Sequence, residues 1–241
     1  MERCVHFDLL VRQSFRQHHR THKLRAGKAQ KMKLLHVDAS VTGAQSVSRE
    51  LSSAVVEAWR ASEPGLQLVY RDLARTVPPQ LTEAALKVIK FGAEPSADTP
   101  ARDLAFMEEL LVEFLTADAV VIGAPMYNFT VPTQLKGWLD ALAQPGRTFA
   151  YTPQGPKGLA TGKRVIIASA RGGSYSQPPM NARDFQEPYL IAVLNFMGIT
   201  DIEVVRAEGV NMPGRRDGSI EQARRDISVL FGVAQAAPVA A

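Results

Sequence analysis

From Met32 onward, short continuous apolar runs alternate with stretches whose apolar residues recur every three or four positions. The runs are Leu34–Val37, Leu66–Tyr70, Ala119–Ala124, Arg164–Ser169 and Ile202–Val205, each of strand length and apolar enough to be buried on both faces. Between them, Leu51, Val55, Ala58 and Trp59 lie on one side of a helix, as do Leu104, Met107, Leu111 and Phe114 on another. Thr99-Pro100 is placed to cap the second of these, with proline in its first turn. A third helix is expected from about Pro132 to Leu142, burying Leu135, Trp138, Leu139 and Leu142. Two more are expected near Pro188–Met197 and Ile220–Phe231. Strands separated by helices pair in parallel, and helices then cover both faces of the sheet.

Five strands in this order suit an α/β, flavodoxin-like fold: a doubly wound five-stranded parallel sheet with helices on both faces. Two connections are longer than the geometry requires, Pro145–Gly162 and Gly172–Glu187, and both flank the fourth strand. Such a sheet binds ligands at the carboxyl ends of its strands, and three clusters fall there. The first strand runs through Ser40 and Gly43 to Ser46-Val47-Ser48, where the first helix begins. Free N–H groups and the positive end of a helix dipole favour an anion, and hydroxyls add donors, so a phosphate monoester suits this turn. A plain helix cap accounts equally well for Ser46 or Ser48. The third strand ends in Met126-Tyr127-Asn128-Phe129, which could stack a flat ring and hydrogen-bond its edge, or could be a buried turn. The fourth ends in Ala170-Arg171-Gly172-Gly173, where glycines let backbone approach a ligand and Arg171 is either surface charge or a loop anchor.

Competing chemistries find little support in these residues. Gly158–Lys163 resembles a phosphate loop but is one residue short and precedes a strand, where a true one precedes a helix. His36 is the only histidine beyond residue 31 and falls within a strand, where a packed core role is expected. No Ser/His/Asp arrangement and no metal-ligating cluster is expected. With no evident acid, base or nucleophile, a bound cofactor that performs its own chemistry is favoured.

Charge changes this picture less than its total suggests. The 241 residues carry a net charge of +4, which ordinarily points to nucleic acid or a membrane surface. Residues 1–31 alone hold eight basic and two acidic side chains, so residues 32–241 are net −2. The same segment holds the only cysteine, Cys4, and His6, His18, His19 and His22, without metal-finger spacing. Residues 1–31 are expected to be a disordered extension or a misassigned start, 32–232 the folded domain and 233–241 a frayed tail. Neither a nucleic-acid nor a membrane partner is expected, and cytoplasm is the default location.

The most specific stretch is Pro125-Met-Tyr-Asn-Phe129, followed by Pro132, Leu135-Lys136, Trp138, Asp140, Gly146, Thr148-Phe149, Tyr151 and Gly155-Pro156. Arg171-Gly172-Gly173, Glu187-Pro188-Tyr189-Leu190 and Phe196-Met197-Gly198-Ile199 extend it. In these residues the chain resembles the FMN-dependent NADH-azoreductases, also described as FMN-dependent NADH:quinone oxidoreductases, over nearly all of 32–232. The resemblance implies a homodimer with one FMN per subunit and active sites at the subunit interface. It implies that Ser40, Ser46, Val47 and Ser48 hold the FMN phosphate, that Met126, Tyr127, Asn128 and Phe129 line the ring, and that Ala170, Arg171, Gly172 and Gly173 close its other edge. Val47 and Ala170 depart from the glutamine and serine expected at those positions. Phe149, Tyr151 and the loop before Glu187 are expected near the substrate. The implied reaction is a ping-pong exchange of NADH or NADPH for a quinone or azo acceptor, with no catalytic side chain beyond the flavin. An electron-transfer flavodoxin is disfavoured because such carriers are strongly acidic; a non-redox binding module is the remaining alternative.

Overall fold

A computed structural model describes residues 31–97 and 100–232. The expectations for residues 1–30, for Thr99 and for the tail after Gly232 lie outside the described residues. Five parallel strands form one sheet in the order β2-β1-β3-β6-β7: β1 (Lys33–Asp38), β2 (Gln67–Asp72), β3 (Ala119–Pro125), β6 (Arg164–Arg171) and β7 (Asp201–Glu208). Side chains alternate across each strand, so neighbouring apolar residues feed two separate cores. Leu35, Val37, Val120, Ile122, Val165 and Ile167 pack under α3 (Ala101–Thr116), α4 (Thr133–Leu142) and α5 (Glu187–Phe196). Leu34, Val121, Ile166, Ala168 and Val205 pack under α1 (Val47–Ser62) and α6 (Arg216–Leu230). This is the doubly wound arrangement expected from the apolar runs.

Two elements depart from expectation. A nine-residue helix, α2 (Glu83–Phe91), lies where no element is expected; the Thr82 side chain caps it and left-handed Gly92 (φ 65°) ends it. It buries only Ala85 fully, so it lacks a long apolar stripe. Within Pro145–Gly162, β4 (Phe149–Thr152) and β5 (Gly155–Gly158) pair as an antiparallel hairpin rather than an irregular loop. The hairpin docks by backbone: a Cβ on Gly158 would lie 2.2 Å from the Cα of Gly198, so only glycine permits that approach. Phe149 anchors it from below, 2% exposed and 4.5 Å centroid to centroid from Phe196.

Lys163 settles the role of the stretch before β6. Its Nζ donates to the carbonyls of Leu115 (2.8 Å) and Ala117 (2.6 Å) at the end of α3. The helix dipole favours a cation there, and burial lowers the Lys163 pKa. That ammonium is therefore engaged in structure and is not free to meet a phosphate.

Gly158→Ala is expected to destabilise the fold by about 3 kcal/mol, the upper end for overpacking, because the obstructing atoms are backbone. Urea unfolding of the parent and the variant checks this; equal midpoints would contradict the close approach.

Candidate functional site

The strand register brings the three sequence clusters to one edge of the sheet. Asp38 on β1 pairs with Gly123 on β3, and Pro125 on β3 pairs with Ala170 on β6. Beyond those positions opens a cleft of about 520 Å³, within the ~300–1,000 Å³ usual for small-molecule sites. Its wall includes Ser40, Ser46, Val47, Ser48, Met126, Tyr127, Ala170, Arg171 and Gly172. Asn128, Phe129 and Gly173 are not in its wall but lie beside it in the same loops.

At one end, Ser46 caps α1, its Oγ accepting from the Arg49 N–H at 3.3 Å and lying 3.0 Å from Ser48 Oγ. The capping interpretation of Ser46 thus holds, but it leaves the N–H groups of Val47 and Ser48 without a backbone acceptor among the described residues. Ser40 Oγ lies 3.0 Å from Thr42 Oγ1 and 3.2 Å from Tyr127 Oη, which ties this end to the third-strand loop. Arg49 braces the turn from behind: it donates to the Ser40 carbonyl (2.7 Å) and forks onto both carboxylate oxygens of Asp72 (2.7 and 2.9 Å). Burial, then the Asp38 charge, pushes Tyr70 up to about 12, and its hydroxyl donates to Asp38 at 3.0 Å.

His36 is buried, as expected, but not merely packed. Its Nε2 lies 2.9 Å from Ser52 Oγ, which donates to Asp38 at 2.8 Å. The serine donates its proton to the carboxylate and not to the histidine, and all three groups are buried, so no activated hydroxyl is presented to a substrate. A second concavity of about 670 Å³, lined by Asp38, Arg49, Tyr70 and Asp72, contains these same groups already paired with one another.

At the other end, Tyr127 and Thr130 exchange N–H···O bonds of 2.9 and 3.1 Å, closing a tight turn. Its central residues, Asn128 (φ 48°) and Phe129 (φ 72°), are both left-handed, the geometry usually filled by Asn-Gly. Phenylalanine there is strained, and the N–H groups of both residues have no backbone acceptor among the described residues. The Phe129 ring meets Tyr175 edge-on with centroids 6.2 Å apart.

Arg171 decides between the two roles left open for it. Only its backbone can serve the cleft, since its guanidinium is 1% exposed and pairs with Asp184 (2.9 Å), Glu187 and Glu208 (3.7 Å). It is a loop anchor and not surface charge. Burial alone would raise Glu187, but the Arg206 hydrogen bond and the Arg171 charge outweigh it and hold the carboxyl below its ordinary range. Glu208 in turn accepts from Ser174 Oγ (2.9 Å) and the N–H groups of Tyr175 (3.0 Å) and Ser176 (3.1 Å). Phe149 is a correction: buried beneath the hairpin, its ring is not free to meet a substrate, whereas Tyr151 is 75% exposed. Sequence reading missed Val210 and Asn211, which line the cleft from the β7–α6 connection, and Arg216, which lines it from the first turn of α6. Among the described residues no cluster could hold a metal ion, and no helix is long and apolar enough to cross a membrane.

Comparison with known proteins agrees with this architecture. Residues 32–230 match the family described as having a flavodoxin-like fold. A protein of Acidovorax ebreus (strain TPSY), named FMN-dependent NADH:quinone oxidoreductase, is 52% identical over 184 residues, 76% of this chain and 85% of the relative. The chain belongs to that family. Among solved structures, the azoreductase of Bacillus anthracis str. Sterne superposes with a TM-score of 0.77 at 30% identity, over 83% of this chain and 98% of the other. The FMN-dependent NADH-azoreductase of Bacillus anthracis str. Ames Ancestor, solved in complex with FMN, gives 0.75 at 26% identity over the same shares.

The residues present fit the family's cofactor. Free N–H groups and serine hydroxyls stand at one end of the cleft, and at the other two free N–H groups stand beside aromatic side chains, so an anion and a flat ring can be held together.

Glu187→Gln leaves the buried Arg171 short of a counter-charge, and about 3 kcal/mol of stability is expected to be lost at pH 7. Because the folded carboxyl titrates below its ordinary 4.5, the parent's advantage is present above that value and vanishes as pH falls through the folded pKa. Urea midpoints measured from pH 7 to pH 3 check both magnitude and sign. At position 129, Gly is expected to be more stable than Ala by about 1 kcal/mol, since only Ala bears a penalty at positive φ. A stability order with Ala above Gly would refute the left-handed turn.

Proposed function

We propose that this chain is a flavin-dependent oxidoreductase that reduces quinones by two electrons and cleaves azo compounds to amines with NADH or NADPH. The observation that carries the reading is the single cleft joining an anion-ready helix start, Ser46-Val47-Ser48, to the ring-sized wall formed by Met126 and Tyr127. FMN bound there supplies the hydride acceptor and donor chemistry that the side chains lack. Ser40, Ser46 and Ser48, with the Val47 N–H, hold the phosphate; Val47 serves by backbone, so its apolar side chain does not hinder it. Met126 and Tyr127 support the ring, and the N–H groups of Asn128 and Phe129 meet its edge. The backbone of Ala170, Arg171, Gly172 and Gly173 closes the opposite edge. Ion pairs of Arg171 and hydrogen bonds of Glu208 hold the 172–187 loop in place, so these donors are preorganised and water is kept out.

One cleft serves the nicotinamide and then the acceptor in turn, which is a ping-pong exchange. Each cycle moves one hydride from the nicotinamide to the acceptor and takes one proton from solvent, since no side chain here is placed as an acid. Cleaving one azo bond takes two such cycles, four electrons and four protons, and yields two amines. The working form is a homodimer in the cytoplasm. Kinship with the family supports the dimer, as do the exposed Tyr151, Phe185 and Phe91 side chains, which are apolar surface available to a second copy.

Steady-state reduction of a quinone panel and an azo dye with each nicotinamide tests the activity. Parallel double-reciprocal plots are expected; intersecting lines would exclude ping-pong exchange. Asn128→Ala keeps the backbone N–H but removes the side-chain amide, a further hydrogen-bonding group beside the ring's edge, and a three- to tenfold weaker FMN affinity or turnover is expected, about one neutral hydrogen bond. Unchanged affinity and turnover would remove Asn128 from the site.

A further inference from the structure

Arg216 is the first residue of α6, at a helix start where the dipole disfavours a cation. It earns no local stabilisation there: the described residues place no carboxylate in an ion pair with it. Its side chain instead lines the cleft beside Ser46, Val47 and Ser48, and its Nη2 reaches the Gln45 carbonyl at 3.5 Å. The other arginines near this end are already engaged, Arg171 with Asp184 and Glu187, and Arg49 with Asp72. No aspartate or glutamate lines the cleft. The result is a guanidinium without a carboxylate partner, held only by the Gln45 carbonyl beside the positive end of a second helix, α1.

We propose that Arg216 binds the phosphate of FMN, reaching across from α6 to complete the cradle that the serines begin. This inference rests on the flavin-binding reading above. A guanidinium facing a dianion makes charge-assisted hydrogen bonds, which are stronger than those from neutral hydroxyls. Like charges otherwise left facing one another, the guanidinium and the α1 helix start, are then reconciled by a single anion. Arg216 acts as a binding residue for the phosphate and takes no part in hydride transfer.

The test titrates the full-length parent, Arg216→Ala and Arg216→Glu with FMN and with riboflavin, which lacks the phosphate, following flavin fluorescence. Arg216→Ala is expected to weaken FMN about tenfold and Arg216→Glu about a hundredfold, with riboflavin affinity within twofold of the parent in both. Equal losses for FMN and riboflavin would overturn the proposal, because Arg216 would then only shape the cleft. Unchanged FMN affinity, or equal effects of Ala and Glu, would overturn it as well. A parent that binds neither flavin would instead overturn the underlying reading. Removing a cation from a helix start does not weaken α6, so misfolding is not expected, and unaltered riboflavin binding verifies it.

Discussion

A parallel sheet ends all its strands on the same edge, and the rest of this molecule follows from that constraint. With Asp38 beside Gly123 and Pro125 beside Ala170, the loops after β1, β3 and β6 emerge as neighbours. No hairpin can join such strands, so each loop must lead into a helix or a long return. A helix start and two irregular turns therefore crowd one edge, and unpaired N–H groups concentrate there. Two apolar cores, one on each face, hold the sheet so that this edge keeps its shape.

Irregular loops are held by charge where they cannot be held by apolar packing. Arg171 is buried at the end of β6 and gathers Asp184 and Glu187 from the entry into α5 and Glu208 from the end of β7. Arg49 does the same for the first turn, through Asp72 and the Ser40 carbonyl. These groups satisfy one another, which lets the unsatisfied ones face the cleft. The strained Asn128-Phe129 pair belongs to the same design, because its left-handed backbone turns two N–H groups outward. A ligand with an anionic end and a flat polar-edged ring answers both sets at once.

The inner strands were legible because runs buried on both faces leave a continuous apolar signal, and Leu34–Val37 and Ala119–Ala124 lie within β1 and β3, whereas the edge strand β2 is largely exposed. The α2 helix was not, because Glu83–Phe91 buries one residue fully and its cap at Thr82 has no stripe to accompany it. The β4–β5 hairpin escaped because Gly155–Gly158 is bounded and filled by turn residues, and its docking depends on a glycine forty positions away. Arg171 shows the limit for side chains: its position at the site was readable, but the partners that bury it are set by long-range contacts. Arg216 was missed for a related reason. Its helix starts four residues before the apolar pattern does, without a side-chain cap to announce it.

The overall charge of +4 offers no guide to this site, since the cleft is lined by a helix start, hydroxyls and two arginines, of which Arg171 is already paired with carboxylates. On the proposed function, the cleft holds a flavin in reach of a nicotinamide. Anaerobic rapid mixing of FMN-loaded protein with NADH tests it most directly. The yellow absorbance is expected to fall within the turnover time and to return when a quinone is added. A flavin that stays yellow through many turnover times, or bleaches but is not reoxidised by quinone, would contradict it.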